Sequence, residues 1–515
     1  MESAAALLAL LGFAYTVLHS GGRDRGATFV AVLLAAPCVL LSRPWSRVPV
    51  FEQVLCAAVA GAAVLVPFLT TLGVSEARDL DVYIYAPVLY LAMRGFATDT
   101  ARRRLVVVAL FAVGAFEASK VWPVWVGEND RSYRIVGTFY WHNQFGVFMA
   151  AIALLAIAHA LRGAAPERYF AMALASVATA LCVLSHSRGA EMALAAGMLV
   201  LCAVMLRQRP LRCIVGIGAI AVGAVLVAGL MLADVAGHHG VAYTAPSLAS
   251  TSLGSSSSYR AQFITSAAKV FVHDPLVSHG FGSFAHLSGQ YLPSGAEETT
   301  WVHSAPFQAL TDGGLVLGIP VIVATIALAS RWLQLAARSF RLPDRAGAAE
   351  MAAAATGIAL LIHACIDFDS QYPTLVAMIA VVGALAAPRA EPAVTAKHAI
   401  TSWTLLVATT ASTILGLTLV SQYWTTSTAV AAARVELSSG DARDAVTAMT
   451  PELQQFAPDP RPAIVVVTAA QEGLRVPAPT LRRALAESRG YRHLDSTFRR
   501  VWARAESAEA TGQTN

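Results

Sequence analysis

The chain has 515 residues, of which 56% are hydrophobic and only 13% are charged, and its mean hydropathy is +0.58. Soluble domains carry roughly 25% charged residues, so this composition excludes a series of soluble domains. The formal net charge of +5 does not indicate nucleic-acid binding, because most basic residues lie between long apolar blocks, where they orient membrane proteins.

Thirteen apolar blocks follow one another along the chain, each near the ~20 residues that cross a bilayer as a helix. They lie at about 2–20, 27–42, 50–73, 81–97, 104–121, 138–161, 169–186, 189–206, 211–235, 304–330, 349–366, 371–388 and 400–423. Helices are expected because every backbone amide in the hydrocarbon must be hydrogen-bonded within its segment. The sequence therefore predicts an all-α, polytopic membrane bundle of about 12–13 transmembrane helices.

Basic residues predict the orientation of this bundle. With the N-terminus inside, the inner loops hold 17 basic residues and the outer loops hold 9. This is the bias that the positive-inside rule describes. The chain then divides into N-terminal transmembrane helices (1–235), a long extracytoplasmic loop (236–303), C-terminal transmembrane helices (304–423) and a soluble helical tail (424–515) that is also extracytoplasmic.

The long loop and the tail each carry a helical signal. The serine-rich run 247–258 predicts a linker. After it, apolar residues recur at helical spacing, namely Tyr259, Phe263, Ile264, Ala267, Val270 and Phe271. This stripe fits a helix on the membrane surface and a helix packed on the bundle equally well. In the tail, 425–450 and 480–508 have helical patterns that resemble a paired-helix repeat.

Polar clusters lie at the outer ends of several predicted spans. Arg134 precedes the sixth span, in which His142 and Asn143 would enter the apolar zone. Such residues are costly unless they are paired or face a cavity, although a helix–helix hydrogen bond is an equally good explanation. Arg188 lies in the short turn before the eighth span. An arginine there also fits simple snorkelling to lipid phosphate.

Further candidates follow in the long loop and beyond it. Arg260 precedes a loop with glycines at 280 and 282, and His303 stands where the chain re-enters the membrane, ahead of Asp312. A histidine at such a boundary titrates near neutral pH and can serve as a general base, although anchoring the span is the more frequent role. His363, Asp367 and Asp369 form a weaker set that either binds a sugar or cation or is a solvated turn.

Taken in order over residues 100–385, these clusters resemble the O-antigen ligase/polymerase family, the bacterial lipid-linked glycan transferases that include protein O-oligosaccharyltransferases. The matching motifs are Arg-x-x-Gly-Thr-Phe…Asn at 134–143, Ser-Arg-Gly at 187–189, Arg260 ahead of Pro-Leu…Gly-x-Gly, His-Ser at 303–304, and Asp367 with Pro373. The chain departs from the pattern in two places. Asp312 replaces a glutamate and its glycine falls one residue late, and His142 replaces a proline.

The resemblance implies transfer of a glycan from undecaprenyl diphosphate to an acceptor hydroxyl of a glycan, lipid or protein, at the outer face of the bacterial inner (plasma) membrane. It implies His303 as the base, Arg188 and Arg260 as diphosphate ligands, and a supporting set of Arg134, His142, Asn143, Asp312 and Asp367. No cofactor, metal or nucleic acid is expected. Ligase, polymerase and oligosaccharyltransferase remain open, and the rivals are a peptidoglycan-polymerase-like transferase and a secondary transporter.

Overall fold

The computed structural model describes residues 1–22, 24, 26–42, 44–74, 79–127, 134–163, 165–239, 253–293, 299–341, 348–387, 396–439, 441–453, 455, 457–471, 476–489 and 496–510. Regular structure within these ranges is helical, apart from one isolated β-bridge between Ser20 and Phe139. The predicted all-α class is therefore confirmed.

The α-helices are α1 Glu2–Leu18, α2 Ala27–Ser42, α3 Pro44–Arg47, α4 Val50–Leu69, α5 Leu80–Phe96, α6 Thr100–Gly127, α7 His142–Arg162, α8 Ala165–Leu184, α9 Arg188–Gln208, α10 Pro210–His239, α11 Leu253–His273, α12 Ser283–Leu287, α13 Ala305–Arg341, α14 Ala348–Ile366, α15 Pro373–Ala386, α16 Ala396–Ser439, α17 Ala442–Glu452, α18 Pro460–Gln471, α19 Ala478–Ser488 and α20 Ser496–Ala510. Each predicted apolar block coincides with one of them. Among the described residues, nine helices are long and apolar enough to span a bilayer, and α1, α2 and α15 are shorter apolar helices. The predicted polytopic bundle is thus confirmed.

The helices alternate between two ends of the bundle. At the end where α1 begins, which we call the N-terminal end, Glu2 pairs with Arg47 at 3.1 Å and with Arg102 at 2.8 Å. At the opposite end, which we call the site end, the Ser20–Phe139 bridge joins the turn after α1 to the segment before α7. Charged pairs therefore join α1, α3 and α6 at the N-terminal end.

Helix α13 is broken inside the bundle, a feature that hydropathy did not predict. Gly313 and Gly314 leave helical geometry, and Gly314 adopts φ 56° and ψ −148°. The loop before α12 fills this break, because the N–H groups of Leu315 and Val316 donate to the carbonyls of Pro275 (2.8 Å) and Leu276 (3.1 Å). The backbone groups released by the break are thus satisfied by protein, as membrane burial demands.

Helix α11 corrects one prediction and decides between two others. It begins at Leu253, so the serine run is helical from there onward and the linker prediction is wrong for 253–258, while 247–252 lie outside the described residues. Tertiary contacts of the apolar stripe supply the stability that extends this helix. Phe263, Ala267 and Val270 are buried and pack against neighbours such as Phe284, so the helix lies on the bundle as the second alternative proposed.

The tail forms a separate small core at the site end. Helix α16 continues past residue 423 to Ser439, so no helix end marks the predicted boundary of the tail. Helices α17–α20 pack on its end around buried Val430, Met449, Val466, Leu481 and Trp502. The N–H of Val74, after α4, donates to the carbonyl of Pro458 at 2.7 Å, which fixes the tail to the bundle. The helical pattern predicted for 425–450 is confirmed by α16 and α17.

Candidate functional site

Asp367 lies at the centre of the polar residues of the site end. Helix α14 ends at Ile366, and Asp367 begins the turn to α15 with none of its side chain exposed. Its carboxylate accepts hydrogen bonds from Asn143 Nδ2 at 2.9 Å, from Gln144 Nε2 at 3.3 Å and from the Phe368 N–H at 2.8 Å. A fully buried carboxylate requires such donors. The alternative of a solvated turn is therefore wrong.

Two basic side chains complete the surroundings of Asp367. Arg260 of α11 approaches Oδ2 with Nη2 at 3.4 Å, and His303 approaches Oδ1 with Nδ1 at 3.4 Å. These contacts join residues that lie far apart in sequence and that sequence motifs had identified separately. The arrangement brings the predicted base and one predicted diphosphate ligand onto the same carboxylate.

His303 is held in a defined orientation just before α13. Its backbone has φ +57°, in the left-handed region that few non-glycine residues adopt. Its ring stacks on Phe263 and meets Phe368 edge-on, with centroid distances of 5.4 and 4.6 Å. Nε2 lies 3.4 Å from the Thr299 hydroxyl, and 19% of the side chain is exposed. The imidazole is thus fixed on one side and reachable on the other.

The carboxyl of Asp367 is readily ionised, which matters for the tautomer of His303. Burial alone would raise the pKa of this carboxyl, but the contact with His303 and the positive charges of His363 and Arg260 outweigh it and hold the pKa below its usual value. An ionised Asp367 facing Nδ1 favours the tautomer with the proton on Nδ1. Nε2 then presents a lone pair, which is the form a general base requires.

A second histidine–aspartate pair lies beside the first. His363 Nδ1 and Asp369 Oδ2 are 2.7 Å apart, and both side chains are buried. Gln144 links the two pairs, since its Nε2 reaches both Asp367 at 3.3 Å and Asp369 at 3.5 Å. Burial raises the pKa of the Asp369 carboxyl, although His363 opposes the shift. The pKa values of the two carboxyl groups are therefore shifted in opposite directions, and Asp367 is the more readily ionised.

The segment before α7 is hydrogen-bonded to helix α6 through Thr138 and Glu117. Thr138 donates to Glu117 through its N–H (2.7 Å) and its hydroxyl (2.8 Å). Gly137 has φ +57°, and a Cβ there would lie 2.2 Å from Glu117 Oε1, so this position requires glycine. These hydrogen bonds fix the segment in which Arg134 Nη1 and His142 Nε2 lie 2.9 Å apart. Arg134 and His142 thus flank Asn143 rather than contact Asp367.

Two further predicted site residues, Arg188 and Asp312, lie in α9 and α13. Arg188 begins α9, and a Cβ on the next residue, Gly189, would lie 3.1 Å from the ring of His363, so the start of α9 packs against the second pair. Asp312 is buried and accepts from Gln308 Nε2 at 2.9 Å. Gln308 Oε1 in turn accepts the N–H of Val302 at 3.0 Å. Through Gln308, Asp312 therefore helps to fix the backbone of Val302, next to the predicted base His303.

An apolar cavity of about 210 Å³ lies between α4, α5, α13, α14 and α15. Its lining includes Asp369 and Ser370 at the site end. Toward the N-terminal end it reaches Glu52 and Arg331, which form an ion pair inside the bundle. The polar cluster thus adjoins an apolar space within the depth of the membrane.

Sequence reasoning did not assign a role in this site to Gln144, Glu117 or Thr299. Glu117 left a usable signal, since it is the only acidic residue in the block 104–121 and buried acids in membrane spans are costly. Gln144 extends the polar start of an otherwise apolar helix. Thr299 left no signal, because only the folded loop brings it to His303.

Residues 170–322 match the family model described as O-antigen ligase. The match includes Arg188, Arg260, His303 and Asp312, while Arg134, His142, Asn143 and Asp367 lie outside it. No curated protein matches the chain. The family match supports the resemblance, and the chain is a multi-pass membrane protein in which residues 170–322 are similar to O-antigen ligases.

Proposed function

We propose that this protein transfers a glycan from undecaprenyl diphosphate to an acceptor hydroxyl at the outer face of the bacterial inner membrane. The observation that carries the proposal is the contact of one buried carboxylate, Asp367, with both His303 and Arg260. A base oriented by a carboxylate next to a fixed guanidinium suits a reaction that removes a hydroxyl proton and releases an anionic leaving group.

His303 is the proposed base. The Asp367 carboxylate lies 3.4 Å from Nδ1, and Nε2 faces the acceptor in place of the Thr299 hydroxyl that it meets at 3.4 Å. The acceptor oxygen bonds to the anomeric carbon of the donor while the bond from that carbon to the diphosphate breaks. The acceptor proton moves to Nε2, and the electron pair of the broken bond leaves with undecaprenyl diphosphate. Direct attack inverts the anomeric centre.

Arg260 and Arg188 are the proposed ligands of the diphosphate. Arginine stays protonated at any working pH and binds phosphate oxygens in a bidentate manner. Arg260 keeps 27% of its side chain exposed while it contacts Asp367, so part of its guanidinium can meet a substrate. The apolar cavity beside Asp369 would receive part of the isoprenoid chain. Arg134, His142, Asn143 and Asp312 support the site through the contacts described above.

One feature of the structure favours the transporter alternative. Helix α13 is broken, and discontinuous helices are frequent in transporters. In transporters the freed backbone groups line the substrate site. Here the N–H groups of Leu315 and Val316 are bonded to the protein's own loop instead. The break therefore anchors the loop that leads to His303, and this favours the transferase.

The test is the pool of undecaprenyl-linked glycan in a deletion strain complemented with wild type or with His303→Ala. We expect the pool to clear with wild type and to accumulate with the variant. His159→Ala is a matched control, because His159 lies in α7 and bonds only its own helix at Leu155 among the described residues. An unchanged pool in both strains, with the proteins present in the membrane, would refute the transferase proposal.

A further inference from the structure

We propose that Tyr140 and Trp141 form a stacking platform for a sugar ring of the glycan, an inference that rests on the proposed function. The two side chains are 64% and 43% exposed beside a buried polar site. Their rings stack with centroids 6.4 Å apart and planes inclined by 25°. Together they present a continuous aromatic surface at the site end.

The platform is connected directly to the reactive centre. The Trp141 ring lies 5.3 Å from the ring of His142, and Asn143 donates to Asp367 at 2.9 Å. Exposure rises along this path from a fully buried Asp367 to a largely exposed Tyr140. A polymeric glycan whose anomeric carbon lies near His303 must leave the buried site, and this path supplies a way to the surface.

The backbone that carries the platform is held by hydrogen bonds on both sides. The preceding residue, Phe139, is 3% exposed and pairs with Ser20 in the β-bridge. Thr138 is fixed to Glu117, and the Trp141 carbonyl accepts the N–H of Phe145 at 3.2 Å as α7 begins. Binding on a surface whose backbone is already ordered costs little conformational entropy.

The chemistry favours a sugar as the occupant. A pyranose ring has a face of C–H groups that carry small positive charge, and the faces of aromatic rings are negative. The hydroxyl groups of the sugar stay in water or reach the nearby Arg134, which has only hydrogen-bond donors to offer. The competing explanation is an interfacial belt, in which tyrosine and tryptophan anchor the protein at the lipid headgroups.

Steady-state transfer kinetics of reconstituted full-length protein separate these explanations. We expect Trp141→Leu to raise the KM for one glycan substrate by roughly three- to tenfold with little change in kcat, as lost stacking predicts. Trp141→Phe should retain most of the affinity. Trp122→Leu is the matched control, because Trp122 of α6 has a similar exposure of 41% and should leave both KM values unchanged. A rise in the donor KM assigns the platform to the donor glycan, and a rise in the acceptor KM assigns it to the acceptor.

Unchanged KM values for both substrates in Trp141→Leu would overturn the platform. Equal losses in Trp141→Leu and Trp122→Leu would also overturn it, in favour of the interfacial belt. A wild-type protein without transfer activity would instead refute the proposed function. In that case, binding of the purified free glycan, measured by isothermal titration calorimetry in the wild type and in Trp141→Leu, still tests the platform, and equal binding by the two proteins would overturn it.

Discussion

Replacing Asp367 by asparagine removes the negative charge at the centre of the site and keeps the shape of the side chain. The carboxylate accepts hydrogen bonds on Oδ2 from Asn143 and Arg260, and on Oδ1 from Gln144 and the Phe368 N–H. An asparagine amide has one acceptor oxygen and one donor nitrogen. Whichever way it turns, its NH2 group therefore faces donors inside a buried site.

The expected loss follows from the contact with His303. In the serine-protease triad, the equivalent change lowers kcat by about 10⁴. Here Nδ1 and Oδ1 are 3.4 Å apart, longer than a strong charge-assisted hydrogen bond. We therefore expect kcat to fall by about 10²- to 10³-fold, which corresponds to about 3–4 kcal/mol of activation free energy.

The assay is single-turnover transfer of a lipid-linked glycan by purified protein, normalised to the folded fraction measured by size-exclusion chromatography. Normalisation matters because buried donors without acceptors cost about 1–3 kcal/mol each and will lower the yield of folded protein. Asp24→Asn is the matched control, because Asp24 is an exposed aspartate at the same end of the bundle. A normalised kcat for Asp367→Asn within threefold of wild type would refute the assignment of Asp367 as the partner of the base.

Two further predictions concern stability. Gly314→Ala should lower the thermal unfolding temperature in detergent and reduce transfer, because its Cβ would lie 2.5 Å from the backbone of Leu276 and φ +56° is strained for alanine. The control is Gly229→Ala, which has open space around it and should unfold like wild type. Equal unfolding temperatures for the two variants would show that the broken helix tolerates a side chain. Because folding lowers the pKa of Asp367, its ionised form stabilises the protein above the unfolded pKa of about 3.9 and this stabilisation is lost as pH falls through the folded value. The difference in free energy of unfolding between wild type and Asp367→Asn should thus still be present at pH 5 and shrink only as the pH falls below about 3.9, and a difference that already vanishes at pH 5 would contradict the lowered pKa.

Hydropathy predicted the helices of the bundle well because each span must be apolar and internally bonded whatever its neighbours are. The break at Gly313–Gly314 escaped it, because an average over about 19 residues barely responds to two glycines. The helical start of α11 at Leu253 escaped it for another reason. Contacts of Phe263 and Ala267 with the bundle decide that structure, and composition alone suggested a linker.

The site was predictable as a set of residues but not as a geometry. Short motifs identified His303, Arg260 and Asn143 as candidates, yet nothing in the sequence assigned them a common partner. Asn143 lies 224 residues from Asp367, and Arg260 lies 107 residues from it. Contacts over such separations follow from the packing of α7, α11 and α14 rather than from helical periodicity. Asp367 was consequently ranked as a weak candidate although it is the residue on which the others converge.

The broken helix explains how an irregular loop can hold a reactive histidine at the edge of a membrane. His303 adopts a left-handed backbone conformation, which persists only where the surroundings fix it. Its neighbour Val302 is bonded to Gln308, and Gln308 is bonded to Asp312, the residue immediately before the break. The break itself is closed by the Pro275–Leu276 loop, so the segment that fixes His303 is held by protein contacts. The glycines of α13 therefore belong to the architecture of the site, although no substrate needs to touch them.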